Sequence, residues 1–518
     1  MRRARHDLAI FDSGGRRRFR RRRNWGQIAS RTLTGAVVLI AIVGGWVLLQ
    51  NALAGEDVHL RVIGADQQPI AGAQIVADNG REAVTSDGGL AVLAFDAPST
   101  LTVTARGYKD ATFPVEVIPP QGSIALQMYP QILQGRVTDV NGIGLPGAEV
   151  SLGERTTQSG EFGAFEFVAA EPGRVIAEKA AWVPGEVQWA GEETRVDLVL
   201  EPFIVKGIRV FYDVAGDVEA FAEILRIADT TAVNALVFDT KEEKGRVLYD
   251  SQVAFARESG AVDIKYDVEE VLRLAKEHGL YTITRIVTFQ DPYASVSNSD
   301  AAVKDTETGD NWTNHLGLGW MDATNRDSWQ YPIDLAVEAC RLGFDEIQFD
   351  YVRFPTDGDV STTAYSLGDD LDADTRVETI AAFLAEARQQ IHEEGCAMSA
   401  DIFAIVLSVF DDQGLGQRVE ELSWHVDAIS PMIYPSHYGR GWLNLDNPND
   451  YPAEVVGQAL EAGMPRLEGG ALMRPWLQAF SWTADQMLES IATAEQSTNG
   501  WMLWNSTSEF DLAGIPRE

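Results

Sequence analysis

From Val205 to Trp504 the chain repeats one grammar: an apolar strand-like run, a polar loop, then an amphipathic helical segment. This alternation constrains the fold more than any other feature, because parallel strands need long crossovers and helices follow them most compactly. The expected strands are 207–212, 235–239, 281–287, 346–350, 397–402, 428–433, 474–478 and 501–504. The expected helices are 218–228, 268–278, 328–342, 377–394, 416–424, 453–462 and 483–494; the stretch after Asn505 is too short for an eighth. Eight strands in about three hundred residues predict a (β/α)₈ TIM barrel over residues 204–518. No glycine-rich phosphate loop follows any strand, which argues against a doubly wound nucleotide-binding sheet.

Ahead of this region lies a duplication. Gln68-Pro69-Ile70-Ala71-Gly72-Ala73, Thr85-Ser86-Asp87-Gly88 and Gly107-Tyr108 are echoed by Leu145-Pro146-Gly147-Ala148, Ser159-Gly160 and Ala181-Trp182. Alternating runs between these marks, such as Leu101-Thr102-Val103-Thr104-Ala105, predict two small antiparallel β-sandwiches at 56–129 and 130–203. The pattern resembles the carboxypeptidase regulatory-like domain. That resemblance implies rigid spacers, with carbohydrate or protein binding as the alternative.

The N-terminus differs again. Residues 1–32 hold eleven arginines against Asp7 and Asp12, and the run 33–54 is free of charge over about twenty residues, the length of a bilayer-crossing helix. We expect a basic cytoplasmic tail, a single-pass anchor at the cell membrane and an extracytoplasmic body. Ala52-Leu53-Ala54 also has the form of a signal-peptide cleavage site, and either outcome exports the body. The chain carries a net charge of −35 although this tail is basic, so the body is a poor partner for nucleic acid. Two cysteines, Cys340 and Cys396, exclude a disulfide scaffold and a cysteine-rich metal site. We expect them reduced and buried, with pairing as the lesser alternative.

Barrel active sites form where strands end. In Glu346-Ile347-Gln348-Phe349-Asp350, alternation sends Ile347 and Phe349 toward the helices and leaves Asp350 inward at the top. The same parity places Asp239, Arg285, Asp401, Tyr434 and Gln478 at the mouth. Asp350 and Asp401 on neighbouring strands fit glycosidic cleavage: one carboxylate as nucleophile, one protonated carboxyl as acid/base, at the short spacing of retaining enzymes. The alternative for Asp350 is a purely structural ion pair with Arg285 or Arg353. Trp320, Tyr351, Tyr434, Tyr438, Trp476 and Trp504, with Trp312 and Trp442, offer flat faces for sugar rings. Asp239, Lys241, Arg285, Arg353, His437 and Gln478 offer polar contacts, with His315 and Ser436 nearby. No metal or serine-hydrolase motif is present, and no cofactor is expected.

These blocks, Val237-Phe238-Asp239-Thr240-Lys241, Gln348-Phe349-Asp350-Tyr351-Val352-Arg353-Phe354-Pro355, Ser399-Ala400-Asp401-Ile402-Phe403 and Ser430-Pro431-Met432-Ile433-Tyr434-Pro435-Ser436-His437-Tyr438, resemble the putative glycosyl hydrolase domain family of exported bacterial proteins. The family is similar in layout to the α-amylase clan. The resemblance implies Asp350 as nucleophile, Asp401 as proton donor and an envelope or extracellular polysaccharide or oligosaccharide as substrate. Two departures stand out: the clan has Glu where Asp401 stands, and a third acid where this chain has Gln478, so Asp239 is a candidate replacement. A non-catalytic glycan-binding or scaffold protein, or an adhesin presenting the sandwiches, are the competing readings.

Overall fold

The computed structural model describes residues 55–120 and 123–517. The expected tail 1–32 and anchor 33–54 lie outside the described residues. Among the described residues no helix is long and apolar enough to cross a membrane. Two compact units are formed, one running to Gln131 and taking in Val168–Glu171, the other comprising Ile132–Phe167 and Pro172–Glu518.

The duplication seen in the sequence is a duplication of topology. In the first copy Leu90–Phe95, Glu56–Ile63 and Ser123–Gln127 make one sheet, and Glu82–Val84, Gln74–Ala77, Ser99–Thr104 and Ala111–Val115 the other. The second copy has the same order: Ala164–Val168, Ile132–Thr138 and Leu198–Val199, then Arg155–Gln158, Glu149–Leu152, Gly173–Glu178 and Gly185–Trp189. In the first copy Val58, Leu60, Ile75, Leu101 and Val103 alternate inward and share one apolar core. A buried hydroxyl recurs too. Thr85 Oγ1 donates to the Ile70 carbonyl at 2.7 Å and accepts from the Ala73 amide at 2.8 Å; Ser159 Oγ repeats both bonds with Leu145 and Ala148. The sheets are not purely antiparallel as expected: Glu56–Ile63 runs parallel to Ser123–Gln127, and Ile132–Thr138 parallel to Leu198–Val199. A closing strand that returns to the far edge arrives in the same direction as the first.

The C-terminal region closes into an eight-stranded parallel barrel. Its strands are β1 (Val205–Val210), β2 (Ala235–Lys241), β3 (Tyr281–Val287), β4 (Glu346–Asp350), β5 (Ala397–Phe403), β6 (Ala428–Ile433), β7 (Leu472–Met473 and Trp476–Gln478) and β8 (Gly500–Trp504). β8 pairs with β1, and β5 with both β4 and β6, so no edge is left open. Pro475, which has no amide proton to give, interrupts β7. The longer helices are α1 (Val218–Thr230), α2 (Val268–Glu277), α3 (Gln330–Leu342), α4 (Ala373–Glu393), α5 (Pro452–Gly463) and α6 (Ala484–Ala494). Asp217 and Asp267 cap α1 and α2 by accepting backbone N–H bonds, and Thr483 with Gln486 forms a capping box on α6. The helix expected over 416–424 is only Val419–Leu422, because Gly414 and Gly416 sit at positive φ and Asp412 accepts from their amides instead.

Cys340 and Cys396 are joined by a disulfide, which corrects the expectation of reduced thiols. Cys340 lies near the end of α3 and Cys396 just before β5, and the fold brings their Cα atoms to 5.9 Å, inside the span of a disulfide. Loop geometry decided this, and spacing in the sequence does not encode it.

The lower barrel interior holds a buried ion pair. Arg474 Nη2 donates to both Glu346 oxygens at 2.9 and 2.8 Å, with neither side chain more than 1% exposed. Ser399 and Tyr281 donate to the same carboxylate. Such pairs contribute little net stability, but breaking one strands a charge. Glu346→Ala should therefore cost about 3–5 kcal/mol in urea unfolding. Glu346→Leu combined with Arg474→Met should recover most of that loss.

Candidate active site

Phe349 packs its ring against Phe383 of α4, with centroids 5.3 Å apart, so alternation along β4 turns Glu346, Gln348 and Asp350 into the barrel. Phe349 is in register with Ala400 of β5. The residues that follow, Asp350 and Asp401, therefore stand side by side at the strand ends, on strands spaced about 4.8 Å apart. Both line a cavity of about 590 Å³ at the barrel mouth, within the usual size of a ligand site.

The centre of this mouth is Arg285 on β3, which is 1% exposed. Its Nε and Nη2 donate to Asp350 Oδ2 at 2.8 and 2.6 Å, Nη1 to Asp239 Oδ1 at 3.0 Å, and Nη2 to Glu243 Oε1 at 2.6 Å. Arg209 of β1 donates to the other oxygen of Asp239. The Trp504 ring lies beneath both guanidinium groups, at 4.3 Å from Arg209 and 4.8 Å from Arg285. Asp350 Oδ1 accepts from the Tyr351 amide at 2.7 Å. Tyr351 has φ of 50°, a left-handed conformation that costs a non-glycine residue about 1–3 kcal/mol. The Phe289 amide, donating to the Tyr351 carbonyl at 3.2 Å, helps to hold it there.

Asp401 is built differently. Its Oδ1 accepts from Trp476 Nε1 at 2.9 Å, whereas Oδ2 is buried with no hydrogen-bond partner. Burial, then the charge of Asp350, hold this carboxyl well above the ordinary aspartate value, against the opposing pull of Arg285 and the Trp476 N–H. Asp401 is thus a carboxyl biased toward its protonated form beside an ion-paired one. Glu243, a third exposed, shows the opposite balance: burial alone would raise it, but Arg285 and, further off, Arg209 bring it down to about 2. The Tyr434 hydroxyl is raised by burial and then by Asp401 and Asp350, and the His437 ring is lowered by burial. Both are neutral donors at neutral pH.

Of the residues anticipated from sequence, Arg285, Asp350, Tyr351, Arg353, Asp401, Tyr434, His437, Tyr438, Trp442, Trp476 and Trp504 line the cavity. Asp239 does not; it lies fully buried beneath Arg285 and orients it. Lys241 is turned away from the mouth by a β-bulge between Asp239 and Lys241, and pairs instead with Asp291 at 2.9 Å. Trp320 is fully buried under the Arg353 guanidinium, at 4.9 Å. Gln478 spends its amide on Asn449, Phe480 and the Ser436 backbone, bracing the loop that carries His437. Trp312 packs away from the mouth, bonded to Asp359, and His315 is exposed beside Asp357. Sequence reasoning missed Glu243, Arg209, Phe403 and Met432. Glu243 was within reach, since it follows β2 directly and a buried arginine with several donors needs several carboxylates. Among the described residues no group of three histidine, cysteine or acidic side chains is placed to hold a metal ion.

A family model described as a putative glycosyl hydrolase domain matches residues 207–510. Among solved structures, a hypothetical protein from Ruminiclostridium thermocellum is 36% identical, with 38% of this chain and 96% of that one covered and a TM-score of 0.34. An α-amylase from Lactobacillus plantarum is 14% identical, covering 58% and 71%, with a TM-score of 0.40. An α-galactosidase from Thermus thermophilus is 12% identical, covering 70% and 73%, with a TM-score of 0.39. No curated protein matches the chain.

Because the Glu243 carboxyl is depressed in the folded state, the stability its pairing supplies is complete above the ordinary glutamate value of 4.5 and is lost as pH falls through about 2. Glu243→Gln should remove this contribution, so wild type and variant should converge in urea stability across that window. A difference that stays constant from neutral pH down to about 2 would contradict the assignment.

Proposed function

The chain belongs to the putative glycosyl hydrolase domain family, and we propose that its barrel hydrolyses glycosidic bonds with Asp350 as nucleophile and Asp401 as acid/base. One observation carries the reading: the Asp401 carboxyl, raised above its ordinary value by burial and by Asp350, has an unpartnered buried oxygen and stands at the level of an Asp350 carboxylate held by Arg285. That oxygen has no partner in the protein, and Asp401 lines the cavity, so its proton is the one the site has to give. Donated to the leaving glycosidic oxygen, it relieves the charge that develops as the bond breaks. Asp350, with each oxygen fixed by a donor, faces the developing oxocarbenium-like carbon from the neighbouring strand. The in-register placement favours the short carboxylate spacing of retaining enzymes, with a covalent intermediate on Asp350 that water then resolves while Asp401 acts as base. Tyr351, Tyr434, Trp476 and Trp504 give the site the aromatic walls that sugar rings use.

The substrate in this reading is an envelope or extracellular polysaccharide, and the body is exported and tethered through residues 33–54. The Cys340–Cys396 disulfide supports an oxidising compartment. A non-catalytic glycan-binding barrel is favoured by one feature: β7 brings a structurally occupied Gln478, not an acid, to the mouth.

Asp350→Asn should abolish turnover while leaving glycan affinity in place. Asp401→Asn should slow cleavage of polysaccharide linkages by about 10²–10⁴-fold. It should slow dinitrophenyl glycosides much less, since that leaving group needs no proton. For the wild type, kcat/KM should fall as pH rises through the elevated value of Asp401, and Asp401→Asn should lose this alkaline limb. Wild-type rates in Asp350→Asn would overturn the pair. Binding without product across a broad glycan panel would select the non-catalytic reading.

A further inference from the structure

Arg353 is a cation the proposed chemistry does not use. It leaves the end of β4 within the Asp350-Tyr351-Val352-Arg353 turn, lines the cavity, and is 6% exposed. Every other strongly buried arginine of this mouth is matched by carboxylates: Arg285 by Asp239, Asp350 and Glu243, and Arg209 by Asp239. Arg353 makes no ion pair among the described residues. Its Nη1 donates to the Phe354 carbonyl at 2.9 Å and to Thr356 Oγ1 at 3.2 Å. Nε and Nη2, the edge that grips a carboxylate or phosphate with two parallel bonds, hold no hydrogen bond to the protein, and neither is sealed off from solvent.

The surroundings fix this group in place without neutralising it. Its Cζ lies 4.9 Å from the Trp320 ring centroid, 4.9 Å from Tyr351 and 4.8 Å from Phe403. Three rings restrict the side chain and offset part of its desolvation. Burial still pulls the guanidinium below its ordinary value, despite Tyr351, Asp350 and Asp357. A charge held dry, rigid and open on its bidentate edge is a site prepared for an anion. The balance of the mouth agrees. The guanidinium groups of Arg209, Arg285 and Arg353 stand among the carboxylates of Asp239, Glu243 and Asp350, so this mouth carries cations beside its acids despite the acidity of the chain.

We propose that the cavity takes an acidic glycan, and that the Nε–Nη2 edge of Arg353 binds the anionic substituent, a carboxylate or a phosphate, of a sugar lying against Tyr351 and Phe403. This rests on the saccharide reading of the cavity and adds the substrate class to it.

The test is calorimetric binding of free monosaccharides to the full-length wild type, which needs no turnover. Glucuronate, galacturonate and mannuronate are compared with glucose, galactose and mannose, and glucose 6-phosphate with glucose. At least one acidic sugar should bind about 10–100-fold more tightly than its neutral partner. The uronate and phosphate arms identify the substituent. Arg353→Met should erase the difference between acidic and neutral sugars, and Arg353→Lys should restore part of it. The proposal is overturned if no acidic sugar outbinds its neutral partner, or if the preference survives Arg353→Met. Equal binding of acidic and neutral sugars would sink it while leaving the hydrolase reading intact.

Discussion

The upper half of the barrel is organised by the need to neutralise Arg285. Burying a guanidinium to 1% exposure is costly, and at Arg285 every nitrogen is met by an acceptor. Three carboxylates from different elements meet them: Asp239 from β2, Glu243 from the loop after β2, and Asp350 from β4. Arg209 then balances Asp239, and Trp504 supports both arginines from one side. The network fixes Asp350 in one orientation, with Oδ2 on Arg285 and Oδ1 on the Tyr351 amide. Burial, and then the neighbouring Asp350, raise the Asp401 carboxyl above its ordinary value. The two aspartates differ because the arginine hydrogen-bonds Asp350, whereas Asp401 is left to burial and the Trp476 N–H.

Below that layer the interior uses the same logic for a different end. Glu346 and Arg474 form a closed pair with Tyr281 and Ser399, and Gln348 reaches toward Ser399 and Ser430. These groups present nothing to the cavity. The contrast with Arg353 is informative: Arg474 is sealed and ion-paired to Glu346 through Nη2, with Nε and Nη1 buried and unpartnered, whereas Arg353 lacks an ion pair and is open. Burial of charge is therefore structural in the lower barrel and recognitional at the rim.

Much of this was legible in the chain. Period-two alternation placed Asp350, Arg285, Asp239 and Asp401 inside and at the top, because a strand buried on both faces still divides its side chains between helices and interior. The duplicated turns foretold the repeated sheet order. Alternation failed where the backbone departed from regularity. The bulge after Asp239 turned Lys241 outward, and the glycines at 414 and 416 shortened the helix expected after β5. It was silent on loops, where Glu243 entered the site, and on the approach of α3 to β5 that joined Cys340 to Cys396. Gln478 ends β7 as its parity implied and Trp320 lies in the loop after β3, but both are consumed as supports, for the loop after β6 and for Arg353.

The sequence by itself determined the architecture and the parity: which side chains face inward, which strands neighbour one another, and that two aspartates end adjacent strands. These follow from local periodicity, which is written residue by residue. Only the tertiary structure decided which aspartate the arginine grips, which arginine is left without an ion pair and which aromatic groups are walls rather than props. Those properties depend on the distance and burial of groups far apart in the chain, and electrostatic energies vary too steeply with both to be read from order alone.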